Sequence, residues 1–189
     1  MALAADIYGK GFRTTDFQEA AAISGKYKKE PELLRSRART GLAKLKSLKQ
    51  TDGKRLAAVG YCFGGTTVLE LARSGSDVRG VVSFHGGLGT EDPAEAKNIK
   101  ASVLVLHGAD DPLVPPEEVK KFQDEMRQAG VDRQMIFYGG AVHSFTNPDA
   151  GNDKTKGAAY QEKADRRSWQ AMREFLYTLL HQPPQGKTR

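Results

Sequence analysis

Five short apolar runs of β character, separated by longer segments of helical period, constrain this chain more than any other feature of it. The runs are "ALAADIY" (2–8), "RLAAVG" (55–60), "VRGVVSFH" (78–85), "SVLVLHG" (102–108) and "RQMIFYG" (133–139). Three of them are continuously apolar, as strands covered on both faces must be. Strands alternating with helices predict an α/β fold with a mostly parallel sheet. Leu34, Ala38, Leu42, Leu45 and Leu48 form one helical stripe, and Val119, Phe122, Met126 and Ala129 form another. The second helix should start near Pro116 and end at Gly130. A last helix should turn Trp169, Met172, Phe175, Leu176 and Leu179 toward the sheet. No internal boundary or repeat interrupts the pattern, so residues 1–182 read as a single domain and 183–189 as a disordered tail.

The chain has 189 residues, 39% of them hydrophobic and 28% charged, which suits one soluble globular unit. Its net charge of +6 comes from scattered pieces such as "KYKK" and "KLKSLK". These lack interleaved aromatic residues and read as solvated helix faces, with no nucleic-acid partner expected. No run approaches the roughly 20 apolar residues of a membrane span. "MALAADIYGK" reaches Asp6 too early for a signal-peptide core, so a cytoplasmic location is the default expectation. The one cysteine, Cys62, has no internal disulfide partner and must be a packed hydrophobe or a reactive thiol.

The surroundings of Cys62 favour the thiol. It falls in "GYCFGG", between the strand ending at residue 60 and a helix beginning at Phe63. That is the setting of a nucleophile elbow, where small neighbours, here Gly60 and Gly64, let the chain turn sharply and hold a side chain above the sheet. The amides and dipole at the start of the helix favour thiolate and can receive a developing oxyanion. Of the four histidines, His143 lies in a glycine-bearing loop after the last strand. Sites form at such loops in open α/β sheets. His85 and His107 lie at strand ends, where pocket-wall or core roles are natural, and His181 lies in a fraying terminus. Asp110 and Asp111 follow the fourth run. The order nucleophile, acid, histidine is that of the α/β-hydrolases.

On "AADIYGKG", "GYCFGG", "HGADDPLVP" and "HSF", from Ala2 to about Leu180, the chain resembles the dienelactone hydrolase family, a cysteine-dependent branch of the α/β-hydrolases. The resemblance implies a three-layer α/β-hydrolase sandwich, shortened at its N-terminus to about five strands. It selects Asp111, four residues before the proline of D-x-x-V-P, and His143, which heads H-S-F. It implies a carboxymethylenebutenolidase-like hydrolysis of an ester or lactone without a cofactor. Cys62 would attack the carbonyl, His143 would serve as general base and acid, Asp111 would orient His143, and the Phe63 amide would hold the oxyanion. Lys10 would contact a substrate carboxylate, and His85 and Phe145 would line the pocket. Asn147 stands where a second basic contact is expected.

By the same resemblance, strands before residue 2 are absent, together with the donor of the second oxyanion N–H and a glutamate that contacts the nucleophile. The chain would then be a fragment, in which case a signal peptide could be missing too, or a short form whose 2–8 strand lies beside residues 55–60. Either case leaves a sheet edge through which a homo-oligomer could form. An inactive, ligand- or partner-binding relative with an incomplete oxyanion site is the second reading. A glutamine amidotransferase-like enzyme is the third, but none of the four histidines heads the H-x-E it needs. No metal site is expected, since no histidine or carboxylate cluster has ligand spacing.

Overall fold

The structure, a computed structural model, describes residues 1–181, so the tail predicted over 183–189 lies outside the described residues. Contacts divide the chain into two compact units, Met1–Gly53 and Lys54–Arg189. Among the described residues no helix is long and apolar enough to cross a membrane.

In the first unit the strand expected over residues 2–8 does not form. This run is rich in alanine, which sheets disfavour, and it has no ladder to complete its hydrogen bonds. Among the described residues this run joins no strand ladder. Asp6 instead accepts the Gly9 amide in a turn. Ala5 lies so close to Gly41 that a Cβ there would come within 2.7 Å of the alanine methyl. Gly41 belongs to α2 (Pro31–Lys46), which follows a helix without a sequence expectation, α1 (Phe17–Lys29). Asp16 caps α1 by accepting the Glu19 amide, and Pro31 occupies the first turn of α2, where its missing N–H costs nothing. Tyr27, Leu34 and Ala38 form the buried face of the pair.

The second unit holds a four-stranded parallel sheet, β1 (Ala57–Tyr61), β2 (Gly80–Phe84), β3 (Ser102–Gly108) and β4 (Arg133–Tyr138), in the order β1-β2-β3-β4. Helices α3 (Phe63–Arg73), α4 (Pro116–Gln128) and α5 (Glu162–His181) accompany it. β2 and β3 are buried on both faces, while β1 and β4 form the edges. Val82, Phe84, Leu104 and Leu106 pack with Met172 and Phe175 of α5. The alternate residue Ser83 meets Gly65 of α3 on the other face, which makes three layers. On that second face fully buried Arg73 of α3 binds both carboxylate oxygens of Glu125 of α4, at 2.8 and 2.9 Å. It also binds Glu70 and the Leu88 carbonyl, each at 2.8 Å. This is the shortened α/β-hydrolase architecture, with four strands where about five were expected. Gly130 closes α4 with φ 66°, as predicted.

Trp169 does not face the core as predicted: it is 51% exposed. The inward stripe of α5 runs through Ala164, Ser168 and Met172, and Trp169 is turned about 100° away from Ser168. His181 is not frayed, since it ends α5 stacked on Tyr177.

Candidate active site

The parallel register determines which side chains meet at the carboxyl edge of the sheet. Tyr61 pairs with Phe84 and Phe84 with Leu106, so the next residues along β1 and β2, Cys62 and His85, emerge side by side. The Cys62 amide donates to the Phe84 carbonyl at 3.0 Å, and the His85 amide to the Leu106 carbonyl at 2.8 Å. Between β1 and α3, Cys62 adopts φ 50° and ψ −119°. Gly60 is indispensable to this turn, because a Cβ on it would lie 1.9 Å from the Gly64 carbonyl oxygen. The second small neighbour is Gly65 rather than Gly64. A Cβ on Gly65 would strike Ser83 Oγ at 2.6 Å and Gly86 Cα at 2.9 Å, whereas one on Gly64 meets nothing within 4 Å.

Asp111 follows β3, buried, while its neighbour Asp110 is exposed. Its Oδ1 accepts the Leu113 amide at 2.9 Å, which fixes the carboxylate, and its Oδ2 accepts from His143 Nδ1 at 2.8 Å. His143 is half-buried after β4, its backbone held to Gly157 and Ala159. With Nδ1 taken by Asp111, the other ring nitrogen is left for the sulfur. Sγ of Cys62 and one ring nitrogen each of His85 and His143 all lie within 4.8 Å of one another.

Two further side chains touch the sulfur. His85 Nδ1 lies 3.3 Å from Sγ, with its Nε2 2.8 Å from Thr146 Oγ1, and Ser144 Oγ lies 3.2 Å from Sγ. Cys62, His85 and Ser144 are also the three non-glycine residues with positive φ among the described residues. Ser144 and Thr146 were not singled out in the sequence. The available signal was their place beside His143, in the loop already selected.

The electrostatics follow from these contacts. Burial alone would push the Cys62 thiol up, but hydrogen bonds with His143 and His85, and the charge on both rings, outweigh it and bring the thiol down to about 5. Burial alone would lower His143, but its bonds to Asp111 and Cys62 lift it to about 9. Between those values the pair is a thiolate beside an imidazolium. His107 is a core residue, edge-on to Phe137, and burial lowers its pKa.

The remaining expected contacts are placed as follows. Phe63 is the first residue of α3, directly after the sulfur. Phe145 is fully buried and edge-on to His85, with ring centroids 4.9 Å apart. Lys10 is exposed in the first unit, between Gly9 and Gly11, which both have positive φ. Asn147 is exposed and accepts the Asp149 amide at 3.0 Å.

Among known proteins, the dienelactone hydrolase family model matches residues 1–180. An uncharacterized protein of Caenorhabditis elegans is 38% identical over 148 residues, 76% of this chain and 92% of that protein. A human carboxymethylenebutenolidase homolog is 26% identical over 182 residues, 90% of this chain and 74% of its own length. The crystal structure of a dienelactone hydrolase-like promiscuous phosphotriesterase from metagenomic libraries superposes with a TM-score of 0.87 at 43% identity, over 93% of this chain and 73% of that one. The chain spans 66% of the length of a relative from Salmonella typhimurium.

Proposed function

The chain belongs to the dienelactone hydrolase family, a family of hydrolases, and from that premise we propose that it cleaves carboxylic esters or lactones with Cys62 as nucleophile. The observation that carries this reading is the bond of Asp111 Oδ2 to His143 Nδ1 at 2.8 Å, with another ring nitrogen left for a sulfur brought down to about 5.

The Cys62 thiolate adds to the carbonyl carbon, and the electron pair moves to the carbonyl oxygen, which the Phe63 amide at the positive end of α3 receives. The tetrahedral adduct collapses as the imidazolium of His143 protonates the departing alkoxide, leaving a thioester and neutral imidazole. His143 then takes a proton from water as that water attacks the thioester, and the acid and the thiolate separate. Starting from an ion pair, His143 acts first as acid and then as base. Asp111 keeps its proton on Nδ1 throughout. Because thiolate leaves more readily than alkoxide, an adduct bearing a poor leaving group falls back, so activated or strained esters are favoured over amides.

Likeness at 43% identity to a protein described as a promiscuous phosphotriesterase favours a second substrate class, phosphotriesters with a good leaving group.

Intact mass spectrometry during reaction with 4-nitrophenyl acetate, with product release followed in parallel, tests the reading. An acetyl adduct should form and clear with steady turnover and be absent in Cys62→Ala. A persistent adduct, or none that depends on Cys62, would leave a binding protein with a retained triad.

A further inference from the structure

The cluster at the carboxyl edge of the sheet has a second chemistry in it. In a tetrahedral zinc site, with Zn–S of about 2.3 Å and Zn–N of about 2.0–2.1 Å, sulfur and nitrogen ligands stand about 3.5 Å apart. Sγ of Cys62 and Nδ1 of His85 are already 3.3 Å apart. The third donor, on His143, completes a triangle with no side beyond 4.8 Å. Closing its widest side takes at most about 1.3 Å, which a small rotation of one imidazole supplies.

Ring orientation is a stronger argument than proximity, since any crowded site brings side chains together. Metal-bound histidines nearly always give their second nitrogen to a carboxylate or another fixed acceptor. Both rings here are held that way, His143 by Asp111 Oδ2 and His85 by Thr146 Oγ1, each at 2.8 Å. Metal binding takes the His85 tautomer in which Nε2 donates to Thr146 and Nδ1, 3.3 Å from Sγ, has given up its proton and offers a lone pair. Each histidine thus has one nitrogen anchored and the other turned toward the sulfur.

We propose that Cys62, His85 and His143 form a binding site for a thiophilic divalent cation of the Zn2+ class, its fourth position open, and that this ion reversibly blocks the thiol. One thiolate and two imidazoles suit zinc and exclude Mg2+ and Ca2+, which take oxygen ligands. On binding, the ion displaces to solvent the ring protons that face the sulfur and occupies the sulfur and the freed nitrogens together, so it inhibits and is not a cofactor. Uptake of the ion rests on the placement of these three donors and not on the proposed turnover.

The test uses the full chain after treatment with chelator, with Zn2+ uptake measured by equilibrium dialysis and Co2+ as a spectroscopic probe. One equivalent of Zn2+ should be retained in the presence of excess Mg2+, and the Co2+ form should show a sulfur-to-metal charge-transfer band that Cys62→Ser abolishes. Thr146→Val, which touches no donor atom but frees the His85 ring, should weaken Zn2+ binding about 10-fold to 100-fold. His85→Ala should weaken it further, with circular dichroism confirming that each variant is folded. Failure to retain zinc, or equal affinity in wild type, Cys62→Ser and Thr146→Val, would overturn the proposal. Ester turnover is assayed separately on the same preparations. A chain that takes up zinc but does not turn over overturns only the hydrolase reading, and one that turns over but retains no zinc overturns only the metal site.

Discussion

The charge state of Cys62 can be read directly from the pH dependence of its alkylation, without knowing the substrate. Moving a thiol from its ordinary value of 9.0 to about 5 corresponds to roughly 5 kcal/mol in favour of thiolate, at 1.36 kcal/mol per pH unit. The buried site opposes this shift, and His143 and His85 supply it. Reaction with iodoacetamide should therefore fall off below about pH 5, where the sulfur takes up a proton, and stay level to about 9, where His143 gives up its own. Taking the two imidazoles as equal contributors, His143→Ala should move the lower inflection up by roughly two pH units and slow alkylation about tenfold at pH 6. A wild-type inflection above pH 8, or one that His143→Ala does not move, would refute the reasoning. The sulfur would then be an ordinary buried thiol.

Four further outcomes can be measured on the same chain. The kcat/KM for an activated ester should be bell-shaped, with limbs near 5 and 9, since acylation needs thiolate and imidazolium together. Asp111→Asn, which can offer His143 a donor in place of an acceptor, should lower kcat roughly 10²-fold to 10⁴-fold in steady-state assays while the far-ultraviolet spectrum stays unchanged. Gly60→Ala places a methyl 1.9 Å from the Gly64 carbonyl and should cost about 3 kcal/mol or more in urea unfolding, whereas Gly64→Ala, facing open space, should leave stability level or up to about 1 kcal/mol higher. Arg73→Met should cost about 3–5 kcal/mol by stranding buried Glu125, and adding Glu125→Leu should recover most of that loss in thermal unfolding.

The parts of the site that were legible in the sequence are those carried by local signals. Cys62, Asp111 and His143 each follow a different apolar run; their order pointed to a nucleophile, acid and histidine, and the D-x-x-V-P and H-S-F elements of the family resemblance selected Asp111 over Asp110 and His143. His85 was legible only as a strand-end residue with a pocket-wall role. Its approach to 3.3 Å from the sulfur depends on the pairing of Tyr61 with Phe84, a long-range register that no single segment encodes. The same limit accounts for residues 2–8, whose composition reads as apolar but whose fate depends on finding a ladder. Trp169 was misread because two helical stripes fit the spacing of α5, and fully buried Ser168 marks the one that faces inward.

Backbone strain joins the fold to the chemistry. A non-glycine residue at positive φ costs about 1–3 kcal/mol, and such residues persist only where their surroundings leave no alternative. Among the described residues there are three, at Cys62, His85 and Ser144, and all meet at one sulfur atom. Each has an identifiable restraint. Cys62 is pinned by the close approach of Gly60 to Gly64, and His85 by its amide bond to Leu106 and by Phe145 packed edge-on against its ring. Ser144 lies between His143, tied to Gly157 and Ala159, and Phe145, which is fully buried and accepts the Gln161 amide. The strain concentrates at the sulfur while β2 and β3, buried on both faces, supply the rigidity that sustains it. A packed core alone would relax such turns, so their convergence on Cys62 is independent physical support for a reactive thiol.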